Sequence, residues 1–193
     1  MKDEIFFHPA DIGLSLSLCY FVLNNQKLIT MKNNDLATQT AVIFTPETLY
    51  THWQGHRKLT RRMIEAFPED KLFTYSIGGM RPFADLVYEF LGMAEPGIRG
   101  IATGKWEKWA DAAKVNTKKE LLELWDKSTE AIAGIWPTIS PERWEQQDVA
   151  FGQWPGTCTS FIFYFIDNEI HHRGQGYVYL RSLGIEPPAF WDR

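Results

Sequence analysis

Cysteine is nearly missing from this 193-residue chain. The two present, Cys19 and Cys158, match no zinc-ligand spacing and no disulfide framework, so a reducing cytoplasm is the simplest compartment. Positive charge is in deficit as well: 20 Lys and Arg against 24 Asp and Glu leave a formal charge of −4. The basic residues are interspersed with acids, which excludes the basic footprint expected of a DNA- or RNA-binding surface. Long apolar runs are lacking too. The stretch Ile12–Leu23 is too short to cross a bilayer, and Asp3 and Glu4 precede it where a secretory signal carries positive charge, so no membrane partner is expected. Leu16-Ser17-Leu18-Cys19 puts a bulky Leu18 where a lipoprotein cleavage site needs a small residue. There is no internal repeat and no low-complexity segment.

What remains is an ordinary globular composition, 45% hydrophobic and 23% charged, enough for one well-buried core. Aromatic residues are plentiful, with eight Trp, and read as core and interface filler. Residues 1–40 form an N-terminal extension of undetermined structure, and Met31 offers an alternative start that would make residues 1–30 translated upstream sequence. Residues 41–193 carry the helical pattern. Thr45-Pro46-Glu47 opens a first helix, with Thr45 as N-cap and Pro46 in the first helical position. Leu49, Trp53, His56, Thr60, Met63 and Phe67 make its inward stripe, His52 lies at the edge, and Arg57, Lys58, Arg61 and Arg62 point away. Glu69 to Gly79 reads as a connection with a Gly78-Gly79 turn.

A second helix opens at Pro82, carries Glu89 on the margin of its apolar face, and is expected to end or bend at Pro96-Gly97 and Gly100. A third runs from a Thr117/Glu120 capping box to about Ile135 and shows no candidate ligand. Trp136 to Gly156 is an irregular connection with room for a short strand or turn. A fourth helix begins between Thr157 and Ser160 and runs to Leu183, where Gly184 stops it. Four amphipathic helices on links of unequal length imply an all-α four-helix bundle. Aromatic surface on the Trp-bearing links and on the tail Pro187-Pro188-Ala189-Phe190-Trp191 makes a homodimer the expected oligomer.

The inward stripe of the fourth helix, Phe161, Phe165, Asn168, His172, Gln175 and Tyr179, turns polar at its centre. An unpaired buried polar group costs about 1–3 kcal/mol, so these residues need partners. Three helices can supply them: His52 and His56, Glu89, and the Asn168/His172 pair at i, i+4. Imidazole nitrogen with carboxylate oxygen suits Zn, Ni, Mn or Fe. His171, Asp167 and Gln175 sit next to the stripe, as groups that orient ligands or substrate, whereas Glu169 and Arg173 read as a surface ion pair of little weight.

Asn168-Glu169-Ile170-His171-His172-Arg173-Gly174-Gln175, then Tyr179-Leu180-Arg181-Ser182-Leu183-Gly184-Ile185-Glu186-Pro187-Pro188, closely resembles the C-terminal signature of the DinB-like, damage-inducible superfamily. Trp53 and Met80-Arg81-Pro82-Phe83-Ala84-Asp85-Leu86 extend the resemblance over about residues 45 to 190. It implies a four-helix bundle with a divalent metal, nickel or zinc, held by three histidines, one on the second helix and two at i, i+4 on the fourth. Those positions fall here on Glu89, Asn168 and His172, so only His172 keeps the residue type. Either His52 or His56 completes a rebuilt site, or metal binding is weakened or gone. Relatives include bacillithiol-type thiol S-transferases and mycothiol-dependent isomerases, which implies a low-molecular-weight thiol as cofactor, an electrophile as substrate, and a metal that holds the thiol as thiolate. Two other readings stand beside a stress-response or detoxifying transferase. One is a non-catalytic binding module whose polar core is a hydrogen-bond network, with Glu89 paired to His172 or Arg173. The other is a metal-dependent hydrolase using Glu169 or Asp167 as base.

Overall fold

The computed structural model describes residues 43–193; the extension over 1–40, with Cys19, the apolar stretch and the alternative start at Met31, lies outside the described residues. Helix α1 spans Pro46–Ala66 and is capped as expected, the Thr45 hydroxyl accepting the Thr48 N–H. Leu49, Trp53, His56, Thr60 and Met63 are buried, but so is Arg57, at 0% exposure, contrary to its expected outward position. The reason is the later helix Lys118–Ile135: the Arg57 guanidinium lies over its Trp125 ring (4.1 Å) and donates to its Thr129 hydroxyl (3.0 Å). The stem covers apolar surface while the head finds polar partners.

The expected connection after Pro68 contains a short helix, α2 (Glu69–Thr74), with Glu69 and Asp70 in its first turn and Leu72 buried. Gly78 and Gly79, both at positive φ, then make the turn. Helix α3 (Phe83–Thr103) does not stop at Pro96, Gly97 or Gly100. Pro96 removes one N–H without ending the helix, and the two glycines face aromatic rings: a Cβ on Gly97 would sit 2.4 Å from Phe165, and one on Gly100 2.4 Å from Trp106. These residues serve close packing, and the stop falls at Gly104, in the left-handed region at φ 69°. The link that follows crosses α3 at Gly92, where a Cβ would meet the Ala110 carbonyl at 2.2 Å.

Helix α4 (Lys118–Ile135) opens on the expected capping box, with the Thr117 and Glu120 side chains each bonded to the other's backbone N–H. Two short 3-10 turns lead to an antiparallel hairpin, β1 (Gln147–Ala150) with β2 (Trp154–Thr157), registered from Gln147↔Thr157 to Ala150↔Trp154. Helix α5 (Cys158–Ser182) follows at once, capped by Thr157. Both α1 and α3 pack against α4 and α5, closing a four-helix ring. Fully burying a large apolar side chain contributes about 1.5–3 kcal/mol, and Trp53, Phe83, Trp125, Ile162 and Tyr179 are all at or near zero exposure. None of the described helices is long and apolar enough to cross a membrane.

Candidate functional site

Where α5 meets α3, three of the expected residues come together. The Asn168 amide nitrogen donates to Glu89 Oε1 (2.9 Å), and His172 Nε2 lies 3.3 Å from the same oxygen. Glu89 Oε2 accepts from the Arg81 guanidinium (2.6 Å), a residue just ahead of α3 that sequence reasoning had not assigned to the site. Burial by itself would push the Glu89 carboxyl up, but the Asn168 and Arg81 hydrogen bonds and the charges of His172 and Arg81 hold it below its ordinary value. Burial also pushes the His172 imidazole down, with Glu89 opposing in part, so at neutral pH the site is an anionic carboxylate beside a neutral imidazole. The Asn168 amide orientation follows from chemistry, since turning its oxygen toward the carboxylate would set two acceptors together. Two acceptors, Asn168 Oδ1 and His172 Nδ1, are buried with no partner among the described residues.

The first-helix histidines are elsewhere. His52 is exposed, and its ring stacks edge-on against that of His56 (4.7 Å). His56 belongs to a second polar cluster on the α1 side of α5, where its Nδ1 lies 2.8 Å from Arg173 Nη2 and its Nε2 lies 2.9 Å from Arg193 Nη1. Burial, then the nearby Arg173, His52 and Arg193, lower its pKa to about 3. A neutral imidazole has only one bare nitrogen, so only one of these guanidinium contacts is a full hydrogen bond. Glu169 and Arg173, expected as a surface pair, are buried at 2% and 5% exposure. Glu169 accepts from the Thr60 hydroxyl (2.5 Å) and the Trp53 indole (3.3 Å), and stands 3.6 Å from Arg173. The correction has a simple cause: α5 is wedged between two helices and buries two stripes, with Asn168 and His172 toward α3 and Glu169 and Arg173 toward α1. Of the expected orienting groups, Asp167 and His171 are exposed on the outer side of α5, and Gln175 Nε2 lies 3.3 Å from the His171 ring.

A cavity of ≈ 720 Å³ opens beside Glu89, walled by Met93, Trp109, Phe151, Trp154, Phe161 and Tyr164. Glu89 is the one ionisable carboxylate in that lining. A larger hollow of ≈ 950 Å³ near the start of α1 holds none of the expected residues, so the smaller one is the relevant space.

The residues present do not fit the three-ligand metal centre that the resemblance implies. The third position is a neutral amide with its N–H turned to the carboxylate, and the carboxylate already faces a cation. Among the described residues no three His, Cys, Asp or Glu side chains gather closely enough to hold an ion.

A closed ring of helices with a carboxylate–amide–imidazole cluster between two of them defines a helical-bundle protein with a polar site beside a cavity. The DinB family profile matches residues 31–192, and the chain belongs to that family. Among solved structures, a DinB-like protein from Bacillus subtilis is similar at 21% identity, covering 75% of this chain and 99% of that chain, with a TM-score of 0.60. One from Bacillus cereus matches at 19% identity over 74% of this chain and 95% of that chain, with a TM-score of 0.62. A mycothiol-dependent maleylpyruvate isomerase matches at 14% identity over 72% of this chain and 68% of that chain, with a TM-score of 0.55. No curated protein matches the chain.

Proposed function

We propose that this DinB-family protein binds a small molecule in the cavity beside Glu89 and does so without a resident divalent metal. The observation that carries this reading is the Arg81–Glu89 contact (2.6 Å): a side-chain cation already faces the carboxylate that falls at one of the family's ligand positions. With the Asn168 amide on the other oxygen, the carboxylate is charge-balanced and hydrogen-bonded, the condition for a buried anion to be tolerated. The aromatic walls supply apolar contact area, and Glu89, the carboxylate in the lining, is an acceptor for a ligand's N–H or O–H groups. Restoring the family's residue tests this directly. Asn168→His combined with Arg81→Ala is expected to take up nickel or zinc in calorimetric titration, while the unaltered protein takes up neither; uptake by the unaltered protein with equal affinity overturns the reading.

A second reading, a thiol S-transferase assisted by a divalent ion, draws on the carboxylate and imidazole standing side by side. Here Glu89 and His172 would hold the ion, and it would supply a thiolate at neutral pH. This chain's own part is to orient the thiol against the aromatic wall. Adduct formation between a low-molecular-weight thiol and a generic electrophile, faster with ion-loaded protein than with the ion-free control, would favour it. The hydrolase reading draws no support, because Glu169 is engaged with Trp53, Thr60 and Arg173, and Asp167 is on the outer face.

A further inference from the structure

Among the described residues, helix α5 is buried toward α1 and α3 and open to solvent on the opposite side. Steps of three and four residues put Phe163, Asp167, Ile170, Gly174, Val178 and Arg181 on this bare stripe, and all six are exposed. Phe163, Ile170 and Val178 leave 38%, 37% and 55% of their surface open, an unusual apolar run for a solvated face. Gly174 sits at its middle. Glycine inside a helix is less favourable than alanine by about 1 kcal/mol. Gly97 and Gly176 have a reason inside the chain, since a Cβ at either would strike a ring at 2.4 or 2.5 Å, but a Cβ at Gly174 would meet nothing within 4 Å. What a missing side chain at the centre of an exposed apolar stripe does allow is the close approach of another helix, to an axial separation of about 8 Å.

We infer that this outer face of α5 is where two copies of the chain meet, their α5 helices antiparallel about a two-fold axis at Gly174. The stripe is complementary to itself in that arrangement. Counting outward from Gly174, Ile170 faces Val178 of the second copy, and Asp167 faces Arg181 of the second copy. Neither Asp167 nor Arg181 has an ion partner among the described residues. A parallel pairing would set Asp167 against Asp167 and Arg181 against Arg181, so charge selects the antiparallel one. From Phe163 to Arg181 the stripe runs about 27 Å, and a two-fold contact uses it twice, as isologous interfaces do. The interface is independent of what the Glu89 cavity binds, and it differs in place from a dimer built on the Trp-bearing links and the C-terminal tail.

Sedimentation equilibrium on the full chain tests it, using the unaltered protein, Asp167→Arg, Arg181→Asp and the double reversal. The unaltered protein is expected at twice the 22.4 kDa chain mass. Each single reversal opposes like charges twice per dimer and is expected to weaken association by about tenfold or more, with the double reversal restoring it. Gly174→Leu is expected to yield monomer with undiminished helicity and thermal stability, since leucine is the better helix former, which separates a lost interface from a lost fold. A mass of one chain at high concentration, or a dimer indifferent to these changes, overturns the proposal.

Discussion

Glu169 and Arg173 show most sharply how position along one helix misleads about energy. At i, i+4 on a helix that contacted only one neighbour they would be a solvated pair worth a few tenths of a kcal/mol. Buried against Trp53 and Thr60, they depend on each other. Arg173→Met is expected to cost about 3–5 kcal/mol in urea denaturation, because it leaves Glu169 buried without its cation. The exposed pair Lys119–Glu123 is the control, and Lys119→Met should change stability by no more than about 0.5 kcal/mol. His56 makes a pH prediction. Its folded pKa, about 3, lies below its ordinary 6.5, so the unfolded chain binds more protons between those values. Stability should therefore rise with pH through that window, contribute nothing further above it, and lose part of the slope in His56→Gln. The Glu89, Asn168 and His172 group was legible from the i, i+4 spacing and the family signature. Arg81 was not, because a long side chain reaching back to the helix from outside it leaves no trace in any period.

At the scale of elements, the sequence reading was strongest where a local rule decides. The Thr45, Thr117 and Thr157 caps and the left-handed Gly184 sit where capping chemistry puts them. It was weakest where a residue with a local meaning serves a distant contact. Gly97, Gly100 and Pro96 read as breakers, but α3 needs its glycines for the rings of Phe165 and Trp106. Gly97→Ala is accordingly expected to destabilise the protein by about 1–3 kcal/mol through overpacking. Gly134→Ala in α4, where a Cβ meets open space, should stabilise it by about 0.5–1 kcal/mol, and paired thermal melts check both signs. α2 escaped notice because six residues hold too little periodicity to reveal a helix.

Among the described residues, the ring of four long helices sets two polar clusters on neighbouring faces of α5, and one of them, through Glu89, opens onto a cavity. The bundle was readable because its amphipathic stripes are long. The separation of His56 from Glu89 was not, because stripes show which residues turn inward and not which neighbour they meet. The central claim is that Arg81 and Asn168 have taken over the place of a metal in a family bundle. The most direct measurement is the metal content of the full chain purified without chelator, then titrated with nickel and zinc. Well under one ion per chain and no saturable uptake is the expected result; near-stoichiometric metal that His172→Ala abolishes would contradict it.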